Sequence, residues 1–274
     1  MRNHLPKNVK PRRFCISSGK GGVGKTSLAV NLGLALAEPG NRVLIVDGDL
    51  GLANVDVLLR LPVHSTIQDI LDRGGDPLET VVYLMPNLGI LPASSGVPDM
   101  VNLGLEDQAQ LASVLTAIGA HFDYVLVDTA AGLGPSVLWF NTLADHIILV
   151  VTPDPTSLTD AYAMIKVLFQ EYHRRQFHIL MNLVKEETEG RQTFNTLAKV
   201  AAKFLNLTLD YLGSVPQDYA VIKAVREQVP FLKLSPQSPA SQAVENLAAR
   251  LPELPRERPL NLVPDFQAKV AVDG

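Results

Sequence analysis

The chain of 274 residues contains one cysteine, Cys15. A single thiol forbids an internal disulfide framework and any Cys-rich zinc or iron–sulfur site built from one chain. It also points to a reducing compartment. An excess of basic charge is missing too: 24 Lys and Arg stand against 28 Asp and Glu, a formal net charge of −4. That balance argues against a general coating of nucleic acid and leaves room only for a local basic patch. Long apolar runs are absent. The longest, such as 147–151, fall far short of the roughly 20 residues of a membrane-spanning helix. Arg2, Lys7, Lys10, Arg12 and Arg13 have no apolar stretch behind them, so no secretory signal is expected. No internal repeat occurs. The histidines (His4, His64, His121, His146, His173 and His178) form no i, i+4 pair and have no acidic partner at metal-ligand spacing, so each reads as a surface or core residue. The expectation from these absences is a cytoplasmic protein.

What is present is a well-mixed globular composition, 47% hydrophobic and 19% charged. Short apolar runs at 14–18, 42–47, 88–91, 124–128, 146–152, 177–182 and 209–215 read as strands. Most lack polar alternation, which suits strands covered on both faces of a parallel sheet. Helical patterns lie between them, at 26–38, 66–73, 105–118, 136–143, 156–172, 190–205, 220–228 and 241–251. This alternation predicts an α/β fold with a central, mostly parallel sheet flanked by helices on both faces. Ligands of such folds sit outside the carboxyl ends of the strands. The expected organisation is a flexible basic arm at 1–13, one domain at 14–251, and a tail at 252–274 that four prolines keep from forming a continuous helix.

The segment Gly19-Lys20-Gly21-Gly22-Val23-Gly24-Lys25-Thr26 fits the phosphate-loop pattern, with a strand before it and a helix after it. Gly21, Gly22, Val23, Gly24 and Ser27 place backbone amides where phosphate oxygens would lie, and the helix dipole adds to them. Lys25 is a point charge for the β- and γ-phosphates. Thr26 offers a hydroxyl to Mg²⁺. Asp128 closes an apolar strand, where a carboxylate can hold the metal's shell. The small-residue loop after it, 129–134, is able to move with a γ-phosphate. Asp47 and Asp49 end another strand, placed to order Mg²⁺ waters and an attacking water. Asn182 is followed by Leu183-Val184, so the Asn-Lys-x-Asp run that reads guanine is missing and ATP is the expected nucleotide.

With these residues in place, the loop from Lys20 to Thr26 resembles the deviant phosphate loop of the MinD/ParA family, whose hallmark is an additional early lysine. The segments 47–59, 127–132, 155–162 and 189–191 resemble the flagellar-number branch of that family, the FlhG/FleN type. The similarity spans about 14–251. It implies a P-loop NTPase that hydrolyses ATP and closes as a homodimer over two nucleotides. Lys20 matches the lysine that reaches the partner's phosphates, acting like an arginine finger. Asp49 matches the residue that orients the lytic water; Asp47 and Asp128 match the outer magnesium shell. Asn182 and Pro216, Gln217 and Asp218 match the adenine pocket, and Asp154 a contact across the dimer. Implied partners are flagellar assembly or regulatory proteins, such as a partner GTPase or a transcription regulator.

The chain departs from the family in its tail, where 260–274 holds one basic residue, Lys269, and is broken by Pro264. A peripheral membrane contact therefore rests on two short turns at 266–272 alone. The arm at 1–13 lacks the Asp-Gln-Ala motif with which some flagellar relatives stimulate a GTPase. Asp107-Gln108-Ala109-Gln110 reads as an ordinary helix start, with acidic residues at the positive end of the dipole. Cys15 reads as inert packing, and Trp139 and Phe140 as core. Two other functions stay open at this level: a ParA-type DNA or cargo partitioning ATPase, and a nucleotide-sensing scaffold with negligible turnover. Iron–sulfur carriers of the superfamily need paired cysteines and are excluded.

Overall fold

A computed structural model describes residues 10–51, 55–74, 76–93 and 104–255. Eight strands form one sheet in the order β3-β4-β2-β5-β1-β6-β7-β8. They are β1 (Arg12–Ser18), β2 (Val43–Gly48), β3 (Val82–Met85), β4 (Leu88–Leu91), β5 (Tyr124–Ala131), β6 (His146–Val151), β7 (His178–Val184) and β8 (Asp210–Pro216). Every pairing is parallel except that of β3 with β4. β2 and β6 are buried over their whole length, as their apolar runs require.

Alternate side chains of each strand serve opposite faces. Phe14 and Ile16 pack in one cluster and Cys15, between them, in another. The first face is covered by α1 (Lys25–Ala37), α2 (Val55–Leu59), α8 (Tyr219–Glu227), α9 (Phe231–Leu234) and α10 (Pro239–Arg250). The second carries α3 (Ile67–Arg73), α4 (Leu105–Gly119), α5 (Pro135–Leu143), α6 (Pro155–Gln170) and α7 (Glu187–Leu205). Thus the fold is the expected mostly parallel sheet with helices on both sides. Phe140 is fully buried and Trp139 packs against the same cluster.

Four elements differ from the expected pattern. Strand β3 and helices α2 and α9 are four or five residues long, too short to show a period. β1 begins at Arg12, within the stretch expected to be a loose arm. Arg12 is buried, its guanidinium donating to the carbonyls of Pro252 and Leu254, and Arg13 pairs with Asp145 at 3.2 Å. Two arginines in a strand read as arm residues until the fold supplies acceptors for them. The 105–118 pattern does form a helix, with Asp107 accepting from the Gly104 amide at its start.

β1 lies between β5 and β6, and the chain leaves it toward β2 on one side and returns to β6 on the other. The crevice at this reversal is where open α/β sheets bind ligands. The phosphate loop emerges from the carboxyl end of β1 directly into it.

Candidate nucleotide site

The loop from Gly19 to Gly24 is held in place by two close approaches that admit no side chain. A Cβ on Gly19 would lie 2.4 Å from the backbone of Asp160 in α6, and one on Gly24 2.6 Å from Asn182 Nδ2. Gly24 also has φ 89° as the residue before α1, a conformation that favours glycine. No side chain caps α1, so its first amides keep their hydrogen-bonding capacity for a ligand. Asn182, at the end of β7, donates to the Val23 carbonyl at 2.7 Å and so ties the loop to the far half of the sheet. The next residue, Leu183, sits at a bulge with φ 58°.

Lys25 is buried, and its ammonium donates to Ser18 Oγ at 2.9 Å; that hydroxyl in turn donates to the Lys20 carbonyl at 2.6 Å. Burial lowers the Lys25 pKa, while Asp128 and Asp49 pull it back up. The parallel register sets Asp47 opposite Asp128 at the tips of β2 and β5. Asp47 accepts from the amides of Asp49 and Val55, each at 3.1 Å. Asp128 is fully enclosed. Burial pushes its pKa up to about 7 against a hydrogen bond from Thr26, with Asp47 adding to the rise. Its Oδ1 has no hydrogen-bond partner. A buried carboxylate oxygen without a donor, beside a threonine hydroxyl and a second carboxylate, fits a hydrated divalent cation. Among the described residues no group of three His, Cys, Asp or Glu stands at metal-ligating distance.

The loop after β5 reaches back to the phosphate loop, Gly132 donating its amide to the Ser18 carbonyl at 2.9 Å. Above these groups opens a cavity of about 470 Å³, lined by Gly21, Gly22, Gly24, Lys25, Thr26, Ser27, Asp49, Thr129 and Ala131. The structure therefore brings together the phosphate-loop residues and Asp49, with Asp47 and Asp128 at the adjoining strand ends. Pro216, Gln217 and Asp218 do not line that cavity. Gln217 donates its amide to the Val184 carbonyl at 2.8 Å, beside Asn182. The Asp218 carboxylate accepts from Ala220 at 2.8 Å and Ala240 at 3.1 Å, joining the starts of α8 and α10. Burial raises its pKa, and these amides with the Ser238 hydroxyl outweigh that and leave it low.

Lys20 points neither into the cavity nor to solvent alone. Its ammonium donates to Asp154 Oδ1 at 2.9 Å and to Thr156 Oγ1 at 2.8 Å. Asp154 caps α6 by accepting from the Ser157 amide at 2.9 Å. Hydroxyl bonds from Thr152 and Thr156 hold its carboxyl far below the usual range.

The opposite wall of the cavity is Val57 and Leu58 of α2, Val225 of α8 and Gln228 just beyond it. Sequence reading missed all four. Val57 and Leu58 lie in the 47–59 segment but were given no role there, and the apolar ones look like core residues until the fold sets them over the loop. Cys15 is buried, which pushes its thiol up to about 12, so it carries no reactive thiolate at neutral pH.

The model of ParA, described as the NUBPL iron-transfer P-loop NTPase family, matches residues 9–252. The chain belongs to the ParA/MinD family. Within it, the chain is 43% identical over 243 residues to the antiactivator FleN of Pseudomonas aeruginosa, covering 88% of this chain and 86% of that one. It is 33% identical over 240 residues to the flagellum site-determining protein YlxH of Helicobacter pylori, covering 87% and 81%. The septum site-determining protein MinD of Pyrococcus horikoshii, solved with Mg-ADP, has the same fold with a TM-score of 0.73 and 25% identity over 89% of this chain and 97% of that one. The phosphate loop, eight-stranded sheet and helices described above are those of this family of P-loop NTPases. Among the described residues, no helix is long and apolar enough to cross a membrane.

Proposed function

We propose that this ParA/MinD protein is an ATP-hydrolysing switch that dimerises on ATP and sets the number or placement of flagella. One observation supports the chemistry above others: Lys25, Thr26 and Asp49 share a cavity with the phosphate loop, beside a buried, underbonded Asp128. In this reading Lys25 and the loop amides hold the β- and γ-phosphates. Thr26, Asp47 and Asp128 would hold Mg²⁺ and its waters, and the ion would supply neutralisation of charge developing on the phosphates. Asp49 orients the water that attacks the γ-phosphate. Asn182 spends its amide N–H on Val23 and keeps its carbonyl oxygen as acceptor for the exocyclic amine of adenine. Pro216, Gln217 and Asp218 shape the loop around the base.

Lys20 exchanges its own Asp154 for the phosphates of the partner subunit, completing each site from its neighbour. The ATP dimer binds flagellar assembly or regulatory proteins and the ADP monomer releases them. The flagellar assignment draws on the relatives named FleN and YlxH. The protein acts in the cytoplasm, with any membrane contact peripheral. Iron transfer does not carry over, because the only thiol is the buried Cys15.

Deleting the gene and counting flagella per cell tests the role; unchanged number and position would remove it. Phosphate release by purified protein with ATP and magnesium tests the chemistry separately. Complete absence of release, with and without cell extract, would make the chain a nucleotide-sensing scaffold.

A further inference from the structure

Helix α8 exposes side chains that a surface helix ordinarily buries. Only Ala224 is fully buried, while Tyr219 is 69%, Ile222 44% and Val225 45% exposed. Residues three and four apart share a helix face. Ile222 follows Tyr219 by three and Arg226 follows Ile222 by four, with Lys223 four beyond Tyr219. The two cations therefore stand among the exposed apolar groups.

The strip continues onto α2, where Val57 is 60% exposed. Gln228, just past α8, joins the two helices: its Nε2 donates to the Val57 carbonyl and its Oε1 accepts from Arg60 Nε. Arg60 and Gln228 both take left-handed backbone, φ 49° and 55°, at the ends of their helices. Three cations, Arg60, Lys223 and Arg226, thus border an apolar strip. Of the acids on these elements, Asp218 at the start of α8 is engaged by the Ala220 and Ala240 amides, Asp56 lies in α2, and Glu227 stands 3.8 Å from Lys223. This concentration occurs in a chain whose net charge is −4.

We propose that the α2–α8 face docks an amphipathic segment of a partner protein, apolar along one side and flanked by Asp or Glu. Charge complementarity selects that occupant. A second copy meeting this face symmetrically would set the same cations against each other. The face also adjoins the nucleotide: Val57 and Val225 line the cavity over the phosphate loop. Val55, opening α2, donates to Asp47 at 3.1 Å. A partner seated here touches a helix anchored to a carboxylate beside the phosphate loop, so its affinity follows the bound nucleotide.

The test uses the full chain and a fluorescein-labelled designed helix with Leu along one face and Glu on both flanks. A counterpart with Lys in place of Glu is the control, and anisotropy is the readout. The Glu peptide binds and the Lys peptide does not. Ile222→Ser weakens the Glu peptide about tenfold, as loss of one central apolar contact does. The double variant Lys223→Glu, Arg226→Glu weakens it at least as much and gains affinity for the Lys peptide. Phosphate release is unchanged in both variants, because none of these residues lines the cavity, so a defect in catalysis is told apart from a defect in docking. Should Ile222→Ser fail to fold, the charge-reversed variant decides. Equal binding of both peptides, or unaltered binding by the charge-reversed variant, overturns the proposal. So does loss of the ATP dimer in sedimentation velocity with Ile222→Ser, which would assign the face to a second copy. Loss of pelleting with phosphatidylglycerol vesicles in that variant, with no peptide bound by the wild type, would assign it to a membrane.

Discussion

The Lys20 ammonium is bound to the Asp154 carboxylate of its own chain, 2.9 Å away across 134 residues of sequence. The two side chains are 39% and 37% exposed, so the pair is worth no more than about 1 kcal/mol. A contact that weak is readily exchanged for a phosphate group, yet it is enough to aim the lysine at α6 while no better anion is near. Lys20→Ala is expected to abolish phosphate release and to leave the melting temperature almost unchanged. Full turnover in that variant would remove Lys20 from the chemistry.

Asp49 lines the cavity over the phosphate loop. Asp49→Ala should still bind ATP and should stop at the dimer, since closure precedes hydrolysis. Size-exclusion chromatography with light scattering checks this: a monomer in the presence of ATP and magnesium would contradict the assignment.

His146 and His178 meet ring to ring in the core, Nδ1 to Nε2 at 3.3 Å. Burial, followed by the proximity of His178 and Arg12, lowers the His146 pKa from 6.5 to about 4. Within that window the unfolded chain binds the extra proton, so stability rises with pH and is lost as pH falls, by about 1.4 kcal/mol per unit at full effect. The His146 contribution to the melting temperature should therefore drop on acidification from about pH 7 to about pH 5, while Asp128, its pKa raised to about 7, acts in the opposite sense in wild type and variant alike. His146→Phe, which keeps the stacking on Phe14, should show a shallower drop. Equal slopes in the two proteins would show that the histidine pair stays uncharged in both states.

A methyl group at Gly19 would meet the Asp160 backbone at 2.4 Å, whereas one at Gly21 would find Ala131 at a comfortable 3.9 Å. Gly19→Ala should push the phosphate loop off α6, destabilising the fold by about 1–3 kcal/mol and weakening ATP binding. Gly21→Ala should cost no fold stability. Thermal melts of both, with calorimetric titration of ATP into Gly19→Ala, decide the point.

The phosphate loop, the carboxylates at strand ends and the α/β layering were legible in the residues because each depends on neighbours in sequence. Gly19 to Thr26 is one turn feeding one helix, and Asp47 and Asp128 each follow an apolar strand whose burial is plain from its composition. β3, α2 and α9 were not legible, being shorter than the period that would reveal them. Arg12 was read as arm for a related reason: a strand arginine becomes intelligible only once the carbonyls of Pro252 and Leu254 stand beside it. The same limit applies at the site. Asn182 meets Val23 across 159 residues, and Gln228 meets Val57 across 171. No local pattern encodes such contacts, since they exist only when the strand order has placed one end of the sheet against the other. Local spacing thus determined which chemistry the chain carries. The tertiary fold decided where Lys20 rests, which helices wall the cavity, and which apolar side chains remain on the surface.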